Sequence, residues 1–293
     1  MTEFFDRYSF VGRGLAAMLI QRCHYSKVMP RITKACIGGW VGGRLMGVLT
    51  LGYGTRPLHT IRKMFPDLAS RDYLEIGKFC IDDAMPRNSE SQFLSRAVAL
   101  IRAAFPDVLL LYSWADGILG KPGYVYQAAN WYYGGFIWTE CYLDAQGGRV
   151  HPRTMQGLTA TGPGLGPRDF ETTTAAGFTR WRGKQFRYCL PLCDKRRWRE
   201  LQRSSPIEWR RGDYPKDSDC VWREQIAPGQ YVFRRAIPWT GTDYPRKPNA
   251  QLGLFDERAP GGRVAATTGD DGSTPLRTLQ AETPHCPAGP KKG

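Results

Sequence analysis

Several groups of residues in this chain have types and spacings that could carry out chemistry. His24-Tyr25-Ser26 sets an imidazole beside a phenol at the end of an amphipathic stretch. Asp116, in Trp114-Ala115-Asp116-Gly117, follows a continuous apolar run, Val108 to Tyr112. Its carboxylate therefore falls at the carboxyl end of an expected strand, where open α/β sheets commonly place ligands; Asp-Gly is equally an ordinary turn. Tyr124, Tyr126, Asn130 and Tyr133 crowd a segment read as a helix over 124–132, and at helical spacing Tyr126, Asn130 and Tyr133 share one face. Phenols and an amide grouped in this way could stack on an extruded base and bind its edge. The ordinary alternative is aromatic core packing with satisfied hydroxyls. Imidazole and carboxylate also suit Fe(II), so His24, Asp116 and a tyrosine could share a metal or simply be satisfied polar groups.

Two further groups point to anions. Pro86-Arg87-Asn88-Ser89-Glu90-Ser91 lies between an expected strand and an expected helix, where free backbone N–H groups and the helix dipole attract negative charge. Arg87 would add a fork-shaped donor, and Asn88, Ser89 and Ser91 would complete a cofactor-binding loop; the bland alternative is that Ser89 caps the helix. Arg180-Trp181-Arg182, Lys195-Arg196-Arg197-Trp198-Arg199 and Trp209-Arg210-Arg211 interleave cations with aromatics. That pattern suits phosphate contact with base stacking, which makes Arg180, Arg182, Arg196, Arg197, Arg210 and Arg211 candidate DNA contacts against the alternative of a solvated basic face.

The elements that must position these groups follow from the hydrophobic pattern. Ala35 to Trp40 and Leu45 to Leu51 flank Val41-Gly42-Gly43-Arg44, a hairpin whose turn glycines can take positive φ. Tyr73 to Ile81 reads as a third strand. Ser89 and Gln92 form an S-x-x-Q capping box ahead of Phe93, Leu94, Ala97, Val98, Ile101 and Phe105, which recur at helical steps. Val108 to Tyr112 reads as a strand covered on both faces. Phe136 to Leu143, Arg149 to Thr154 and Lys184 to Leu192 complete the strands, with a Gly- and Thr-rich loop over 157–177. Strands alternating with helices imply an α/β fold with a mixed sheet. Residues 1–200 are expected to form the catalytic domain, 201–243 a basic extension, and 244–293, rich in Pro, Gly, Thr and Ala, a disordered tail.

Composition bounds the partners. Lys and Arg outnumber Asp and Glu by 41 to 27 in the 293 residues, a formal charge of +14 that favours a polyanion. No window approaches the roughly 18 apolar residues of a membrane helix, and Met1 to Tyr8 lacks an apolar signal core, so a cytoplasmic protein is expected. The cysteines show no C-x-x-C pair and read mostly as buried thiols; a metal shared by Cys189 and Cys193 is disfavoured by the strand around Cys189.

His24-Tyr25-Ser26, the Gly-Gly-Arg-Leu-x-Gly hairpin, Pro86 to Ser91, Ala115-Asp116 and Tyr124-x-Tyr126-Gln127-Ala128-Ala129-Asn130, in that order, resemble the phage Mom family of adenine-modification proteins over about residues 20 to 200. The resemblance implies a GNAT-like fold, a mostly antiparallel twisted sheet flanked by helices. It also implies double-stranded DNA as partner, a product in which adenine N6 carries a methylcarbamoyl (carbamoylmethyl) group, and protection of phage DNA from host restriction. A bound iron is implied as well, with His24, Tyr25, Asp116 and Tyr126 as its ligands or as active-site groups and Arg87 and Ser91 in the loop. The loop lacks the glycines with which GNAT enzymes hold the coenzyme A pyrophosphate, which speaks against acetyl-CoA and leaves the donor open. A homodimer is left open. The competing readings are a GNAT acyltransferase acting on a protein or small amine and a non-catalytic basic DNA-binding protein.

Overall fold

The computed structural model describes residues 3–235, except 55–56 and 151–169. Within them one sheet runs β1-β2-β3-β4-β5-β8-β6-β7, and β9 joins a free stretch of the β8 edge and carries β10. Its strands are β1 Arg7–Phe10, β2 Thr33–Val41, β3 Arg44–Gly52, β4 Tyr73–Ile81, β5 Leu110–Ala115, β6 Tyr132–Leu143, β7 Arg149–Val150, β8 Thr179–Pro191, β9 Trp222–Ala227 and β10 Gln230–Arg234. The helices are α1 Arg13–Cys23, α2 Pro57–Met64, α3 Ser89–Ala104, α4 Tyr124–Ala128, α5 Phe170–Ala175 and α6 Lys195–Ser204. Every pairing is antiparallel except β4 with β5. This is the expected mixed, mostly antiparallel α/β sheet flanked by helices.

The hairpin forms as its sequence requires, with Gly42 at φ 54° and Gly43 at φ 77° in a two-residue turn. Strand β5 is covered on both faces: Leu110 and Tyr112 join the layer with Phe65, Trp198 and Trp209, whereas Leu111 and Ala115 join the layer with Phe93 and Tyr126. Phe93 packs on Phe5 and Phe79 at ring separations of 5.4 and 5.5 Å, which seats α3 on the sheet.

Several local expectations are corrected. The capping box does not form: Ser89 is buried inside the helix and donates to the Pro86 carbonyl at 2.6 Å, Asn88 takes the cap position at φ 74°, and Gln92 accepts from the Phe4 N–H instead. The helix expected over 124–132 ends at Ala128, because Asn130 turns the chain at φ 56° and Tyr132 already begins β6. Tyr126, Asn130 and Tyr133 therefore share no helical face. Strand β8 starts at Thr179, earlier than the expected Lys184. Of the strand expected over 149–154 only Arg149–Val150 is described, and of the loop over 157–177 the segment from Phe170 to Ala175 is helical. The expected disordered tail lies outside the described residues.

The boundary expected near residue 200 runs through continuous structure. Helix α6, capped by the Asp194 carboxylate on the Arg197 N–H, buries Trp198 and Leu201, and Trp209 stacks on Phe65 at 5.1 Å. Trp222 of β9 is 2% exposed, and its indole N–H donates to the Ile118 carbonyl. Trp222→Ala should destabilise the protein by about 3–5 kcal/mol, read as a lowered urea midpoint. An unchanged midpoint would show residues beyond 205 to be a separate appendage.

Candidate active site

The parallel pair β4–β5 organises the site. Pairing runs from Tyr73–Leu110 to Ile76–Ser113 and stops there, while β4 continues to Ile81 beside β3 and β5 to Ala115 beside β8. A cleft opens between the parted strands. At its apex the Ser113 hydroxyl donates to the Ile76 carbonyl at 2.9 Å. Gly77 is the extra residue of a β-bulge, since Leu51 faces Ile76 and Thr50 faces Lys78. The bulge puts Lys78 on the face of the sheet that carries α1.

His24 and Tyr25 reach the same place from the end of α1. Their rings lie 4.2 Å apart at 33°. The Tyr25 hydroxyl hydrogen-bonds the Asp116 carboxylate at the end of β5. The ammonium groups of Lys78 and Lys121 lie 5.7 and 5.1 Å from the Tyr25 ring centre, and Lys78 also donates to the Ser26 carbonyl at 3.2 Å. The structure thus brings His24, Tyr25 and Asp116 together and adds Lys78, Lys121 and, through its charge, Arg149.

These neighbours tune each other. Burial raises the Asp116 pKa above the usual carboxylate value, opposed by the Tyr25 hydrogen bond and then by Arg149, Lys78 and Lys121. Burial pushes Lys78 down to about 8, against the pull of Asp116. Desolvation of its ammonium group also lowers Lys121, with Asp116, Asp83 and Glu90 opposing. Burial, reinforced by Lys78 and Lys121, pushes His24 down to about 3, so the imidazole is neutral and its Nδ1 accepts the Ser26 N–H at 2.9 Å.

The remaining candidate residues lie elsewhere or do other work. Tyr126 is buried in the α4 layer, sharing a hydrogen bond of 2.7 Å with Ser113 and packing on Trp131 and Tyr188. It reaches the apex through Ser113. Arg87 and Asn88 are exposed at the start of α3, with the Ser91 hydroxyl donating to the Asn88 carbonyl at 3.0 Å. That helix start borders the cleft through Glu90, whose charge acts on Lys121. Tyr124 is exposed and donates to Asp217 at 3.1 Å, and Asn130 is an exposed turn residue. Arg180 is corrected as a DNA contact: it is 9% exposed and ion-paired to Glu140, which also takes Arg182. Arg196, Arg210 and Arg211 are exposed; Arg197 is partly covered and bonds Glu200. Cys189 is buried and both it and Cys193 are free thiols.

Toward iron, His24, Tyr25 and Asp116 would be the donors: the His24 Nδ1 meets the Ser26 backbone and leaves Nε2 for a metal, Tyr126 bonds Ser113 at the apex, and two ammonium groups near the Asp116 carboxylate oppose a further cation. Among the described residues no three His, Cys, Asp or Glu side chains converge as metal ligands. Sequence reasoning missed Lys78 and Lys121. The isolated glycine just before Lys78 in the strand Tyr73–Ile81 was the available signal, since a strand glycine often marks a bulge.

Fold and site define a mixed α/β protein whose parted parallel strands hold a carboxylate–phenol pair among lysines. The profile of the Mom protein family matches residues 8–216, and the chain belongs to that family. The methylcarbamoylase Mom of Escherichia phage Mu is 34% identical over 156 residues, covering 53% of this chain and 64% of the relative, slightly under two thirds of its length. Among solved structures, a Bacillus subtilis acetyltransferase in complex with CoA overlays with a TM-score of 0.33 at 13% identity, covering 64% of this chain and 99% of its own. An IAA acetyltransferase from Bacillus cereus gives 0.31 at 12%, with coverages of 64% and 99%.

A neutral buried imidazole has a definite pH signature. The unfolded chain binds the His24 proton more readily than the folded one between the ordinary pKa of 6.5 and about 3, so its contribution lowers stability as pH falls through that window. His24→Gln should lose less of its urea midpoint than the wild type between about pH 7 and about pH 4.5. Equal losses would show that the imidazole is freely protonated in the folded state.

Proposed function

We propose that the protein is a DNA-modifying transferase that places a methylcarbamoyl (carbamoylmethyl) group on the N6 amine of adenine in double-stranded DNA, and so shields phage DNA from restriction in the host cytoplasm. The observation that carries this reading is the Tyr25–Asp116 pair beside Lys78 and Lys121 in the strand cleft, within a chain of the Mom family. The name of the phage Mu relative supplies the transferred group.

The chemistry asks for what this cleft offers. Adenine N6 is a weak nucleophile because its lone pair is delocalised into the ring, so a positioned base must take the amine proton as the new bond forms. Asp116 is that base in our reading. Its raised pKa makes it a stronger acceptor than a solvated carboxylate, and Tyr25 orients it. As N6 attacks the donor carbon, the N–C bond forms, the bond from that carbon to its leaving group breaks, and the N6 proton passes to Asp116. Lys78 and Lys121 then stabilise the negative charge that develops on the leaving group. The double cation also favours an anionic donor. The loop from Arg87 to Ser91 at the start of α3 supplies further donors on the Lys121 side of the cleft.

Nucleosides from the DNA of cells expressing the protein should contain a deoxyadenosine heavier by one methylcarbamoyl group, detected by mass spectrometry. Asp116→Asn keeps the shape and removes the base, and should lower the modified fraction on the order of 10²–10⁴-fold while DNA binding persists. Unmodified deoxyadenosine in the wild type, or full modification in the variant, would overturn the assignment.

A further inference from the structure

Beyond the cleft, the outer part of the sheet carries a continuous run of cations lying on aromatic rings. The Lys184 ammonium stands 4.6 Å from the Phe136 ring centre, and Phe136 meets Trp138 edge-on at 5.7 Å. The Arg223 guanidinium sits 3.8 Å from the Trp138 ring centre and 4.8 Å from that of Phe233. These residues come from β6, β8, β9 and β10, and the register Trp138–Lys184 and Phe233–Arg223 places them on one face. Phe233 is 59% exposed and Phe136 37%.

The charges on this face divide into two kinds. Arg180 and Arg182 are neutralised by Glu140. Among the described residues no carboxylate pairs with Arg223 or Lys184, and the Arg223 Nε is buried without a hydrogen-bond partner. A guanidinium held between two rings keeps its full charge and loses much of its freedom, which prepares it for a phosphate. Exposed rings beside it offer stacking or sugar contact.

We propose that this face, defined by Phe136, Trp138, Lys184, Arg223 and Phe233, is a DNA-docking surface. Arg223 and Lys184 meet phosphates of the strand, and Phe136 and Phe233 meet its bases or sugars. The occupant is DNA because the face offers uncompensated positive charge interleaved with aromatic area, on a chain of formal charge +14. The proposal deepens the adenine-modification reading and rests on it for the identity of the nucleic acid.

The test is fluorescence anisotropy of the full chain with a labelled duplex oligonucleotide at a series of salt concentrations. The double variant Arg223→Gln, Lys184→Gln should bind more weakly, and the slope of log affinity against log salt should flatten by roughly 1 for each lost phosphate contact. Arg223→Lys, which keeps the charge, should retain the wild-type slope. Lys184→Gln alone perturbs a half-buried side chain and carries the same test if the double variant melts early. Unchanged affinity and slope in a folded variant would overturn the docking surface, and weaker binding with an unchanged slope would overturn the phosphate contacts. Binding in these variants and the modified nucleoside are independent readouts, so failure of the surface leaves adenine modification standing, and the reverse.

Discussion

The parting of the parallel pair β4–β5 is the constraint on which the candidate site depends. Pairing stops at Ile76 and Ser113, and the Ser113 hydroxyl closes the apex by bonding the Ile76 carbonyl. Beyond that point each strand is held by its other neighbour, β4 by β3 and β5 by β8, so both keep a ladder while their facing edges stay unpaired with each other. The bulge at Gly77 then turns Lys78 toward α1, and the end of β5 carries Asp116 to meet Tyr25. If the strands stayed paired, Lys78 and Asp116 would be flanked by backbone hydrogen bonds instead of an opening. One interruption of one ladder thus produces both the space and the charges.

Electrostatics divides the basic residues by what lies opposite them. Glu140 collects Arg180 and Arg182 into a largely internal ion-pair cluster, which stabilises the outer strands and leaves little charge for an external partner. In the cleft the charges are mixed: Lys78, Lys121 and Arg149 act on Asp116, while Asp83 and Glu90 also act on Lys121. These cations oppose the burial of Asp116, so its proton affinity is set by the balance of the two. The neutral, buried His24 belongs to this logic. An apolar setting and two nearby ammonium groups make its protonated form costly, and the neutral ring packs on Tyr25 and accepts the Ser26 N–H at Nδ1.

Local sequence by itself determined the elements whose signals are short-range: the Gly42-Gly43 hairpin, the Tyr73–Ile81 strand, the amphipathic α3 and the apolar β5 all lie close to where pattern and turn chemistry put them. It also singled out His24, Tyr25 and Asp116, because their motif strings are distinctive, though nothing in their spacing of some ninety positions along the chain states that they meet. Only the tertiary structure decided that. It set Lys78 and Lys121 beside them, moved Tyr126 into the α4 layer, and divided the arginines into paired and unpaired groups. The helix expected through Tyr132 failed because strand pairing of Tyr132 with Cys189 outweighed local helical spacing once Asn130 turned the chain. The capping box failed because burial of Ser89 against the Pro86 carbonyl competed with the cap. The boundary near residue 200 was illegible for the same kind of reason: Trp209 and Trp222 are recognisable as large apolar residues, but their partners Phe65 and Ile118 lie roughly a hundred positions or more away in the chain. Periodicity reports which face of an element is apolar; which distant surface covers that face is settled by the packing of the whole sheet.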